Sequence, residues 1–461
     1  MRLEAPQSAL TTWRTLPGSR ADLHCERVVF WTIALVPLWW ILGLQVAVYP
    51  LVGWYLFWRS LRRPEAIGFP LGFNLWWTYI AVWLLSLFVN LASGSAPVGR
   101  SLTTLGSILG VWMLLPIVWY AMRRAQVRYR VVVRALAVLG LCQLIAVGIG
   151  EAYLRATGKA LEINSVLVTL VPSLPARLFF EATFYGFDRL EWGADPVPRL
   201  KSFYYWPPLA GTMSIFVCMA ALTESNRFWR WLALAGGVST AYFAAARSGQ
   251  VGIALGVLIA VWLMGGTGRR LLNWGLAAGV ALLPVVAPRL YDYFFVYRSD
   301  SGAARLALYD ETLQAFYRSP LLGYGTHGHS EVLEVPLGSH SQVYSTLYHT
   351  GVVGAAVLVC AWLAMAWALL RLGLGRPELA PGLGAWVGLT VAMLSGELEA
   401  ASVTVFVLAA WLGVLWNRFE EPHLPWQHLA DLAEQPAPWQ PERPVRPAPH
   451  DAGRAVPHLR E

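Results

Sequence analysis

"GSHSQVYSTLYHTGVVGAAVLVCAWLAMAWALL", residues 338–370, opens polar and aromatic with two histidines and then turns wholly apolar. From Gly351 to Leu370 it holds no charged side chain, a length close to the ~20 residues that cross a bilayer. Similar runs recur at 28–58, 70–92, 102–122, 132–154, 205–222, 229–246, 249–264, 271–288, 383–398 and 401–416. The first is too long for one helix and reads as a tight pair broken within 43–50. Only 13% of the 461 residues are charged and 56% are hydrophobic, whereas soluble domains carry about 25% charge. The fold expected is an all-α polytopic membrane protein with about twelve transmembrane helices and two large, partly helical outer loops.

Basic residues orient the spans, because short loops rich in Lys and Arg stay cytoplasmic. With the start of the chain inside, the inner connections collect Arg59, Arg62 and Arg63, then Arg123, Arg124, Arg128, Arg130 and Arg134. The pairs Arg227/Arg230, Arg269/Arg270 and Arg371/Arg376 fall on the same side. The net charge of +8 therefore reflects topology, and no nucleic-acid partner is expected. Residues 1–27 form a polar cytoplasmic leader without the apolar core of a signal peptide. Residues 28–417 form the transmembrane domain, and 418–461 a Pro-rich cytoplasmic tail expected to be disordered. The four cysteines have neither metal-binding spacing nor a position for an extracytoplasmic disulfide.

Two outward intervals, 155–204 and 289–342, are far longer than ordinary connections, which are usually functional at such lengths. Most of the outward basic residues lie there, against the topological preference. Lipid headgroups or neighbouring carboxylates account for many such cations. Arg247 in "YFAAARSGQVG" lies between two helices with almost no linker, at or near the membrane, where an ionised group calls for an opposite charge. Arg305 falls in the first turn of a stretch whose Leu306, Tyr309, Leu313 and Phe316 recur at helical spacing, as on an amphipathic surface helix. Pro320 ends that helix, and Gly323 and Gly325 permit a tight turn. Arg199 and Lys201 precede Phe203, Tyr204, Tyr205 and Trp206, which read as an interfacial aromatic belt.

Gly338-Ser339 can start a helix and so place His340 in its first turn, where the positive helix end favours a neutral imidazole suited to act as a general base. Tyr344 and Tyr348 follow on roughly the same face, and Gly351 and Gly354 would let another helix approach. His327, His329 and His349 lack such a context, and no carboxylate or cysteine at a suitable spacing completes a zinc site with His327, His329 and His340.

These stretches together resemble the bacterial O-antigen ligase and O-antigen polymerase superfamily of membrane glycosyltransferases. The similarity lies in His340, Ser341, nine residues, then Gly351 and Gly354; in "PLLGYG" (320–325); and in "ARLALYDETLQAF" (304–316). "AARSGQVGIALG" (245–256), "RLKSFYYWPPLAG" (199–211) and "LSGELEAASV" (394–403) are similar to further family segments. Ser341 stands where Asn is commoner, Ala246 where Ser is usual and Ala304 where Gly is usual. The resemblance covers roughly 199–416, a little under half the chain.

It implies a GT-C-like enzyme of the bacterial inner membrane, working without a metal or other cofactor and with inversion. Such an enzyme moves a glycan from undecaprenyl diphosphate to a glycan or lipid A core acceptor on the periplasmic side. His340 would be the general base and Arg199, Arg247 and Arg305 the diphosphate clamp, since guanidinium groups bind phosphate oxygens in bidentate fashion without titrating. Tyr344, Tyr309, Glu397 and Lys201 are candidate supporting residues. A polymerase of the same superfamily is the alternative. A transporter would need paired midplane charges, for which only Glu397 and Glu399 are candidates.

Overall fold

The computed structural model describes residues 21–63, 67–173, 177–187, 198–296, 299–330, 335–399 and 401–420. Most of the leader and nearly all of the Pro-rich tail lie outside the described residues. The chain runs through α1 (Leu23–Ala34), α2 (Val36–Leu42), α3 (Gln45–Leu61) and α4 (Leu71–Ala92). Next come α5 (Val98–Ser107), α6 (Leu114–Arg124), α7 (Tyr129–Thr157) and the short α8 (Val166–Leu170). They are followed by α9 (Pro207–Thr223), α10 (Arg227–Phe243), α11 (Arg247–Met264), α12 (Gly266–Tyr291) and α13 (Ser299–Arg318). The last three are α14 (Gln342–Gly375), α15 (Ala380–Met393) and α16 (Ser402–Glu420).

Every apolar run named above contains helix, though not always over its full length. Among the described residues, seven helices meet the length and hydropathy of a membrane span, α5 and α6 counting as one, and eight do if α1 and α2, bent by 63° at Leu35, form one span. The other expected spans are shorter: α3, α9 and α10 have 17 residues each and α15 has 14. The expected segment 383–398 ends early, since α15 stops at Met393 and an irregular connector carries Glu397 and Glu399 to α16.

A π-helical turn, Ile108–Trp112, joins α5 to α6. The carbonyl of Trp112 accepts the indole N–H of Trp76 on α4 at 2.9 Å, and the two rings stack with centroids 5.2 Å apart. Small residues bring α11 against α15: a methyl added at Gly252 would meet the Gly388 carbonyl oxygen at 2.7 Å, and one at Gly256 the Gly384 carbonyl oxygen at 2.6 Å. In lipid, where no hydrophobic force drives helices together, this backbone proximity supplies the dispersion contact. Helix α12 has no buried residue, and Trp274, Val280 and Val285 are exposed. An apolar helix open all round in a membrane protein is suited to a lipid environment.

The basic residues assigned to the inner face meet at one end of the bundle. Asp22 accepts from Arg59 and Arg63 at 3.3 and 3.2 Å, Glu26 pairs with Arg128 at 2.6 Å, and Arg134 with Glu224 at 2.9 Å. Arg123, almost wholly buried, pairs with Glu420 at 2.7 Å and donates to Asn417 at 2.9 Å. The buried charges Glu26, Glu224 and Arg123 need partners, which ties α1 to α7, α7 to α9 and α6 to α16.

The first long interval is only partly helical. Besides α8 and one 3₁₀ turn, its described part forms two small antiparallel pairs, β1 (Glu162–Ile163) with β2 (Ala182–Thr183), and β3 (Tyr185–Phe187) with β4 (Pro198–Leu200). The aromatic belt is also corrected: Phe203, Tyr204 and Tyr205 are buried. Their polar groups have partners inside the protein, since Gln143 donates to the Tyr204 hydroxyl at 3.2 Å and Gln45 donates to the Phe203 carbonyl.

Candidate functional site

Helix α14 is where the structure departs most from the sequence reading. Gly351 has φ 61° and ψ −165°, which interrupts the helix. The glycine therefore breaks α14 instead of receiving another helix. What it receives is the "PLLGYG" turn. Val352 N–H donates to the Pro320 carbonyl at 2.8 Å and Val353 N–H to that of Leu321 at 3.3 Å. In return, Tyr324 and Gly325 N–H donate to the carbonyls of Tyr348 and His349, both at 2.9 Å. The backbone groups freed by the break are thus satisfied by the turn. Gly325 has φ 70°, and a methyl there would meet the backbone of Leu87 at 2.6 Å.

The early helices are more than hydropathy here. On α4, Trp83 Nε1 donates to the Gly325 carbonyl at 3.0 Å and Asn90 Nδ2 to that of Gly323 at 3.1 Å. Ser86 Oγ donates toward the carbonyls of Leu322 and His349, at 2.5 and 3.0 Å. Positions 83, 86 and 90 form one stripe of the helix, so α4 fixes the turn.

His340 lies two residues before α14, whose N-cap is Ser341, and not in its first turn. Its φ is +65°, a left-handed conformation uncommon outside glycine. Helix α13 holds it there. The Tyr309 hydroxyl donates to the His340 carbonyl at 2.8 Å, and Gly338 N–H donates to Thr312 Oγ1 at 3.0 Å. Arg305, Tyr309 and Thr312 share one face of α13 at the i, i+4, i+7 spacing. The inward face therefore follows Leu308 and Thr312, both fully buried, while Leu306 is exposed. The apolar stripe through Leu306 and Leu313 is corrected, because the polar turn at 338–341, with backbone groups to satisfy, decides the face.

Tyr344 stacks on Tyr309 with centroids 4.1 Å apart and 6° between planes, and Tyr348 stacks on Tyr324 at 4.8 Å. Burial, with the nearby Arg305 guanidinium adding to it, lowers His340 to about 4. The imidazole is therefore neutral at ordinary pH, for reasons other than a helix dipole. Burial raises Tyr309 above the usual phenol range. On the connector, burial and the Glu399 carboxylate push Glu397 above the usual carboxylate range. Gln342 fixes this connector by accepting the Leu398 N–H at 2.9 Å.

Arg199 and Arg247 form a second group. Arg199 is buried on β4 and donates from Nε to the Ala244 carbonyl at 2.9 Å and from Nη2 to that of Ala245 at 3.3 Å. These carbonyls close the C-terminus of α10, an end that favours a cation. The corner they form has Ala245 at φ 45° and starts α11 at Arg247, whose Nη1 donates to the Phe294 carbonyl at 2.6 Å. Lys201 N–H donates to the Phe184 carbonyl at 2.7 Å, and the side chain lies beside Gly186.

Sequence reading left His327 and His349 without a role, and the structure brings them together with Glu399. His349 Nε2 and His327 Nδ1 are 3.1 Å apart, and Glu399 lies 3.4 Å from a nitrogen of each ring. The three come from separate segments with no motif spacing, so only the fold reveals them.

No curated protein sequence matches the chain significantly. The family model described as O-antigen ligase matches residues 213–359. That segment, about a third of the chain, holds Arg247, Arg305, His340 and the break at Gly351, and it is what the chain shares with the O-antigen ligase family.

Proposed function

We propose that this protein is a membrane glycosyltransferase of the O-antigen ligase type. It moves a glycan from undecaprenyl diphosphate to an acceptor hydroxyl, on lipid A core or a similar glycan, at the periplasmic face of the bacterial inner membrane. With the chain taken as twelve spans and both ends cytoplasmic, the turn at 338–341 falls on that face. The observation that carries the reading is His340: a neutral, part-buried imidazole in a left-handed turn, held by Tyr309 beside Arg305.

In this reading His340 takes the proton of the acceptor hydroxyl, whose oxygen forms a bond to the anomeric carbon of the donor. The bond from that carbon to the diphosphate oxygen breaks, and the lipid diphosphate leaves with the electron pair. Attack from the face opposite the leaving group inverts the anomeric centre. Arg305 and Arg247 stabilise the charge developing on the diphosphate. Arg199, two of whose donors hold the α10–α11 corner, chiefly positions Arg247. No step calls for a metal ion.

The test uses the full-length protein in lipid nanodiscs with a lipid-diphosphate glycan donor. Substituting a general base costs about 10²–10⁴ in rate, so His340→Ala is expected to lose nearly all transfer while eluting and unfolding like the wild type. Near-normal transfer by that variant rejects the reading. In cells, loss of a ligase leaves free lipid-linked polymer and bare core, whereas loss of a polymerase leaves core with at most one repeat unit. Unchanged surface glycans reject both.

A further inference from the structure

Among the described residues, His327, His349 and Glu399 form a cluster that the transfer mechanism does not use. One ligand atom from each can be chosen so that all lie within 4.8 Å of one another. The residues come from three places: His327 from the loop after α13, His349 from α14 just before its break, and Glu399 from the α15–α16 connector. The two imidazoles stand edge to face, 89° between planes, with centroids 4.6 Å apart. Each pair is in contact: the two rings at 3.1 Å, and Glu399 at 3.4 Å from a nitrogen of each.

Glu399 gives the second, independent sign. Its side chain is 5% exposed, and Oε2 is buried with no hydrogen-bond partner although it lies 3.4 Å from His327 Nε2. A carboxylate oxygen left in that state costs about 1–3 kcal/mol or more, so such a site calls for a cation. A divalent ion at the centre would take a lone pair from each residue at once, which an added proton between two atoms does not do. Two imidazoles and one carboxylate are a zinc donor set, leaving a fourth position for water. The surroundings are built to hold these ligands. Ser345 Oγ donates to Glu399 Oε1 at 2.9 Å, Trp83 stacks on the His349 ring at 5.0 Å, and Ser86 bonds the His349 carbonyl. Outer partners of this kind fix ligand orientation. His349 is 1% exposed and the His327 side chain 29%, which leaves one accessible side.

We propose that His327, His349 and Glu399 bind a divalent transition-metal ion, with zinc the best match. The ion pins the α15–α16 connector and the loop after α13 to the N-terminal part of α14. It takes no part in glycan transfer, so the site stands or falls separately from the proposed reaction.

The test is metal binding by the full-length protein in nanodiscs, stripped with a chelator and titrated with Zn²⁺ or Co²⁺ alone. About one equivalent should bind, the Co²⁺ form should show visible ligand-field absorption, and Zn²⁺ should raise the unfolding temperature. His327→Ala and Glu399→Gln should each weaken binding by at least about tenfold, while His24→Gln, at the opposite end, should bind like the wild type. Wild-type protein that takes up no stoichiometric Zn²⁺ or Co²⁺ overturns the proposal, whatever the variants do. So do variants that bind as tightly as the wild type.

Discussion

At the scale of single residues, His340 is set by its neighbours and not by a helix end. A free histidine titrates near 6.5, whereas burial and Arg305 bring this one to about 4. Because the folded value is the lower one, the unfolded chain takes up a proton first as pH falls. The contribution of His340 to stability is therefore complete above about 6.5 and is lost as pH falls towards about 4. The same shift keeps the base competent in mild acid. The acid limb of the transfer rate should lie near pH 4, and Arg305→Gln should move it upward in whatever activity remains. A wild-type limb between 6 and 7 in a pH–rate profile would contradict the assignment. Tyr309→Phe removes the hydroxyl that bonds the His340 carbonyl, a bond worth about 1 kcal/mol to the fold. It should lower kcat by roughly tenfold with little change in donor KM, since misplacing a base affects the transition state more than binding. Equal loss in both parameters would point to donor binding instead.

At the scale of elements, α14 with its break and the "PLLGYG" turn form one unit. Were α14 continuous, Gly351→Ala would stabilise it, as replacing a helical glycine does by about 0.4–1 kcal/mol. The break predicts the reverse, because φ 61° with ψ −165° is a conformation for which side chains other than glycine pay about 1–3 kcal/mol. A thermal unfolding curve of Gly351→Ala decides the sign, and a raised midpoint would reject the break. The existence of α13 and the turn after it was legible from its periodicity, Pro320 and the two glycines. Its inward face was not, because hydropathy ranked Leu306 above Thr312, whereas the backbone groups of the 338–341 turn required the hydroxyls of Thr312 and Tyr309.

For the whole molecule, the paired basic residues at one end and the 338–341 turn beyond the other helix ends predict sidedness. Leu321→Cys, at a position that is 64% exposed, should react with a membrane-impermeant thiol reagent in intact spheroplasts. Arg62→Cys, just after α3 and also exposed, should react only after permeabilisation. Labelling of both from one side would overturn the topology. Of the native cysteines, Cys25 and Cys218 are buried, and a variant lacking all four gives the background.

The apolar runs, their order and the candidacy of Arg247, Arg305 and His340 were legible in the sequence alone, because hydropathy and local motifs depend only on neighbours along the chain. Tertiary structure decided where backbone groups found partners. It broke α14 at Gly351, turned α13 by its hydroxyls, set Arg199 against the α10–α11 corner and assembled His327, His349 and Glu399. Each of these depends on a buried polar group meeting one far away in sequence, and no local pattern records such a meeting.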